Sequence, residues 1–165
     1  MSEQGQVEEG ITQMEQGLAF FRTAGTEMKR VAYLPELAAA YGRMGRGEEG
    51  LAMLAEALAF VTMAGMRVVE ARLYVTKGEV LLACSGDAYE EAEVCFRQAI
   101  EITHQQQAKS LELRAVMSLS RLWQSQGKKA EAGQMLAEIY GWFTEGFDTK
   151  DLQEAKALLE ELAEG

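Results

Sequence analysis

The residues of this 165-residue chain that could do chemistry are a lone histidine, two cysteines, recurring adjacent glutamate pairs, one glycine-rich hexapeptide and a set of arginines. His104 is the only histidine and is followed by Gln105, Gln106 and Gln107. General base catalysis needs an orienting partner and a cleft, and the flanking sequence offers neither. An exposed side chain near the negative end of a helix is expected instead. Cys84 and Cys95 lack the spacing of a zinc site. They are expected as small buried residues in a reducing cytoplasm. Glu8-Glu9, Glu48-Glu49 and Glu90-Glu91 cannot form paired metal ligands, because adjacent residues on a helix diverge. They are expected at helix starts, where carboxylates meet the positive end of the dipole. Gly45-Arg-Gly-Glu-Glu-Gly50 has the G-x-G-x-x-G pattern, but a dinucleotide site needs a preceding strand and a phosphate-tolerant turn. A helix precedes this one and it contains two glutamates, so a helix-hairpin turn is expected. No catalytic residue, cofactor or metal is expected.

The elements that position these residues are helices. Helix formers dominate, proline occurs once (Pro35), and β-branched residues never alternate in a strand-like run. Apolar residues make up 48% and charged residues 25%, within the range of a folded domain. The net charge of −10 repels phosphate backbones and disfavours nucleic acid as a partner. The acidic N-terminus has no apolar core of signal length, and no apolar run spans a bilayer. The protein is expected in the cytoplasm, away from membranes.

Internal repetition is visible. Gly5-Gln-Val-Glu-Glu-Gly10-Ile11 returns as Gly45-Arg-Gly-Glu-Glu-Gly50-Leu51, and Leu18-Ala-Phe-Phe-Arg-Thr-Ala-Gly25 as Leu58-Ala-Phe-Val-Thr-Met-Ala-Gly65. A third copy carries Tyr89-Glu-Glu-Ala92, Phe96 and Ala99-Ile100, and a fourth Lys129-Ala-Glu-Ala132, Leu136 and Ile139. Each period of about forty residues holds two helices with apolar positions at i, i+3, i+4 and i+7, such as Leu34, Leu37, Ala38 and Tyr41. Gly42, Gly45 and Gly47 are expected to supply the positive φ of a helix stop. The pattern predicts eight helices over 6–24, 27–44, 48–64, 67–84, 88–106, 109–126, 129–145 and 149–164. Short connections make successive helices antiparallel. Pro35 is expected to kink the second helix or to mark its start. Asp148 is expected to cap the last helix, whose Leu152, Ala155, Leu159 and Leu162 point inward and whose Lys150, Glu154, Glu161 and Glu164 face water.

This pattern resembles the tetratricopeptide (TPR) repeat. Its large, small and aromatic residues are matched on first helices by Leu34, Leu37, Ala38, Tyr41; Tyr74, Gly78, Leu81; and Val116, Leu119, Ser120, Trp123. They are matched on second helices by Gly50, Leu54, Ala57; Ala92, Phe96, Ala99; and Ala132, Leu136, Ile139. The longer period and the missing proline after each second helix depart from the usual 34-residue repeat. The resemblance implies an all-α, right-handed superhelical solenoid of α-α hairpins, one domain over 1–165 with a capping helix at 149–164. Ala108 to Ala115, Leu119 to Trp123, Gly127 to Ala132 and above all 140–156 resemble the C-terminal TPR-like region of bacterial adenylate/guanylate cyclase–AAA ATPase signalling proteins. The opening on a second-type helix is what excision from a longer array would leave. A non-catalytic protein-interaction scaffold is the function this implies.

In such repeats the first helix of each pair lines the concave face. Off-core positions there include Pro35 and Ala39, and the partner-binding candidates are Arg43, Arg72, Glu79, Arg114, Arg121 and Gln124. Four arginines on one face suggest a groove for a carboxylate or acidic peptide. Alternatively, Arg72 and Arg114 pair with nearby Glu70 and Glu112, or with acids across the hairpins. Two other functions stay open. Tyr41, Tyr74, Trp123, Trp142 and Phe143 could close over a small molecule in a sensor pocket. Or Ile11, Met14, Leu18, Phe20 and Phe21 of the N-terminal helix could form a homo-oligomer contact.

Overall fold

The computed structural model describes residues 3–23 and 27–164, with side chains from residue 5 onward apart from 18, 20–23, 27 and 28. Among the described residues eight helices follow one another: α1 (Glu3–Thr23), α2 (Glu27–Arg43), α3 (Gly47–Met63), α4 (Arg67–Cys84), α5 (Tyr89–Gln105), α6 (Lys109–Ser125), α7 (Lys129–Tyr140) and α8 (Lys150–Ala163). No strand occurs among the described residues. Helices adjacent in sequence pack together. In addition α2 packs on α4, α4 on α6 and α6 on α8, whereas the backbones of α1, α3, α5 and α7 stay apart from one another among the described residues. The even-numbered helices are therefore the inner layer of a solenoid that curves around them.

The core runs the length of this stack. Apolar clusters overlap through Leu51, Tyr74 and Ile100, which pack against more than one of them. Leu34, Leu37, Leu54, Leu73, Phe96, Leu119 and Leu136 are fully buried. Small residues set the helix spacing. A Cβ on Gly78 would lie 2.5 Å from the Phe96 ring, and one on Gly50 would lie 2.9 Å from the Ala38 carbonyl oxygen. Ala92 and Ala132, at the repeat positions of Gly50, are also fully buried.

Polar groups repeat as well. Glu70, at the start of α4, accepts from Arg67 at 2.8 Å and from the Thr62 hydroxyl of α3 at 3.3 Å. Glu112, at the start of α6, meets Lys109 at 2.8 Å and His104 Nδ1 of α5 at 3.1 Å. Both glutamates are buried, and both nodes tie an outer helix to the next inner one. A buried carboxylate needs such donors, since leaving it unsatisfied costs about 1–3 kcal/mol or more. His104, exposed at the end of its helix, thus has a structural partner.

Several expectations are corrected. α7 stops at Tyr140, five residues early. Phe143 turns into the core shared with α8, and Tyr140 packs on Phe147 at 5.8 Å. Seating these aromatics takes the chain out of the helix. Trp142, by contrast, is exposed and stacks edge-on against Phe143. Thr149, in extended backbone and without a side-chain capping bond, precedes α8 in place of Asp148. α2 runs through Pro35, which is buried and marks no start. Glu8 and Glu9 fall in the second turn of α1, while the other two glutamate pairs do open their helices. Cys84 is exposed; Cys95 is buried, and both are free.

Of the three hairpin glycines, Gly45 alone has positive φ. Gly47 is small for another reason: a Cβ there would strike the Cys84 sulfur. Gly65 and Gly127 end other helices in the same left-handed conformation, and at the corresponding place after α5 it is adopted by Gln107 (φ 53°).

Two stability changes follow. Gly78→Ala should lower unfolding free energy by about 1–3 kcal/mol, because the Phe96 ring is too confined to yield. Gln107→Gly should raise it by up to about 1 kcal/mol by relieving the left-handed residue. Urea denaturation measures both.

Candidate binding trough on the inner helices

Residues 72, 75, 76 and 79 of α4 form a stripe at i, i+3, i+4 and i+7, as do 114, 117, 118 and 121 of α6. With Asp151 and Glu154 of α8 they surround a depression of about 250 Å³. A second depression of about 390 Å³ adjoins it, lined by Leu82, Tyr89, Phe96, Leu122 and Ser125. Glu79, Ser118 and Arg121 belong to both, so the two form one open trough along the inner layer. Arg72, Glu79, Arg114 and Arg121 are thereby brought together. Arg43, exposed at the end of α2, and Gln124, which reaches Glu161 at 3.4 Å, line neither depression.

The arginines are engaged across the hairpins. Arg72 pairs with Glu36 of α2. Arg114 Nε donates to Asp151 Oδ2 at 2.7 Å, and Arg121 Nη2 lies 3.8 Å from Glu154 Oε2. Each pair joins one inner helix to the next. Glu70 and Glu112 are occupied elsewhere, in the two nodes described above. Glu79 is different. It accepts from the Ser118 hydroxyl at 3.2 Å, and no ion pair reaches it among the described residues. Its side chain is exposed on the trough wall, and partial loss of hydration beside the neighbouring helices raises its pKa, held back by the Ser118 bond and the charge of Arg121.

Asp151 and Glu154 escape sequence reasoning because α8 reads as a cap whose acids face water, and Ser118 of α6 because a small hydroxyl has no distinguishing pattern. The signal for Asp151 and Ser118 was their distance of about one period from Arg114 and Glu79. The aromatics of the sensor reading are placed elsewhere: Tyr41, Tyr74, Trp123, Trp142 and Phe143 line neither depression. Trp123 instead carries Arg97 and Lys128 over its ring, and Tyr41 carries Arg46. On α1, Ile11 is buried and Met14 exposed. The side chains of Leu18, Phe20 and Phe21 lie outside the described residues.

Stacked antiparallel helix pairs with a shared inner layer are the fold of TPR-like repeat proteins. Solved structures with this fold include a kinesin light chain-like protein of nearly identical TPR-like repeats from Podosopora anserina. It has a TM-score of 0.71 and 19% identity, over 98% of this chain and 80% of that one. A variant of that protein with one residue replaced gives 0.67 and 20%, over 98% and 87%. At such identity the likeness is one of fold. No protein-family model and no curated protein matches the sequence.

An acid whose pKa is higher folded than unfolded binds its proton more tightly in the folded state. Its ionisation therefore opposes folding, increasingly as pH rises through the folded value. Glu79→Gln should accordingly be more stable than the parent at about pH 7.5. The difference should vanish toward about pH 4, in paired urea titrations.

Proposed function

We propose that this chain is a non-catalytic protein-interaction module whose trough on α4, α6 and α8 holds a segment of a partner protein. The observation that carries this reading is the continuity of the two depressions. An open channel shared by three helices suits an extended or helical peptide better than a small molecule, which needs enclosure. Among the described residues no helix is long and apolar enough to cross a membrane, in keeping with work in an aqueous compartment such as the cytoplasm. The resemblance of 140–156 to the C-terminal region of bacterial cyclase–ATPase signalling proteins supports a regulatory setting. There, partner occupancy of the repeats would bias a neighbouring catalytic domain through differential binding energy.

The test is to select dodecapeptides from a random phage-displayed library on the immobilised protein and to map their binding by NMR. Amide shifts should cluster at Val75, Met117 and Ser118. Val75→Trp, which fills the trough, should weaken binding at least about tenfold with unchanged circular dichroism. Binders that shift only residues of α1, α3 and α7 would remove the proposal.

A further inference from the structure

We infer that the trough selects a partner segment bearing a lysine or arginine side chain, whose cationic end meets Glu79 while its stem lies along the second depression. The inference rests on the trough being the docking surface, and it names the chemistry that surface recognises.

The charges lead to it. Arginines in the trough suggest an anion receptor when counted alone, but each already faces an acid on a neighbouring inner helix. An incoming carboxylate would have to compete with Asp151 and Glu154, which are fixed on α8 and would repel it. Glu79 has the opposite situation. Its direct partner is a neutral hydroxyl, and its nearest cation, Arg121, is shared with Glu154. One acid is thus left without a counter-charge of its own at the point where the depressions meet, in a protein of net charge −10.

The surroundings fit the rest of such a side chain. Beyond Glu79 the floor is apolar, with Leu82 part-exposed over the buried Phe96 and Leu122, and Tyr89 exposed at the rim. Methylene stems of lysine and arginine cover apolar surface while the charged end seeks a polar partner, and an aromatic rim attracts a cation further. The negative field of the whole protein speeds the encounter with basic segments.

The phage-selected peptides that map to the trough supply the probe. They should be enriched in lysine or arginine, and Glu79→Gln should weaken the tightest of them by about tenfold, the loss of one charge-assisted hydrogen bond. Replacing the key lysine of that peptide by norleucine should cause a similar loss on the parent protein and none further on Glu79→Gln. The norleucine comparison needs no change to the protein, so it stands even if the variant folds poorly. Trough-binding peptides that lack basic residues, or whose affinity ignores both replacements, would overturn the inference and leave the docking surface intact. Peptides that bind elsewhere, or no binders at all, would overturn both.

Discussion

The wholly buried Phe96 ring lies against Gly78, and the stack depends on that contact. A single helical hairpin has apolar residues on more faces than its own two helices can cover. The next hairpin must approach closely enough to cover the remainder. Glycine at position 78 lets the inner helix α4 meet α5 at ring-contact distance, and Gly50 does the same for α2 and α3. Once those separations are set, the larger residues of successive repeats interdigitate, and one continuous core reaches from Ile11 to Leu162. The trough is a by-product of this geometry: helices held at fixed spacing on the inside of a curve leave a channel between their outward stripes.

Charge is distributed in two ways on this frame. Glu70 and Glu112 are buried and saturated with donors, and they serve as ties between outer and inner helices. The pairs from Arg72, Arg114 and Arg121 are partly exposed, where ion pairs contribute little to stability, but they neutralise most of the trough. Glu79 is the exception. Its carboxylate is exposed on the channel wall with a neutral hydroxyl for its direct partner, a departure from local consistency of the kind found at binding sites.

Much of the architecture was legible in the residue pattern. Periods of 40 and 42 residues, with small residues at Gly50, Ala92 and Ala132, placed the helices closely because helix content and hairpin turns are local properties. Features decided by contacts between elements were not. Nothing local distinguishes Asp151 as a partner of Arg114 from Asp151 as a solvated residue of a terminal helix, and the exposure of Cys84 follows from where α4 ends against Gly47. The early stop of α7 had a local trace in Gly141 and Gly146, outweighed by the helix-forming residues around them. Gln107 could not be recognised as a left-handed residue without its turn. Of the six candidate residues, the four on facing stripes of α4 and α6 came together. Arg43 and Gln124, closer to the helix ends, fall outside the channel.

The layers also differ mechanically. Among the described residues the backbones of the odd-numbered helices stay apart and side chains such as Ile100 and Met135 bridge the gap, whereas the inside is cross-braced at Arg72, Glu79, Arg114 and Arg121. Bending is therefore resisted on the concave side, where small rotations between hairpins widen or narrow the channel. The width of the groove is thereby tied to the ion pairs that line it.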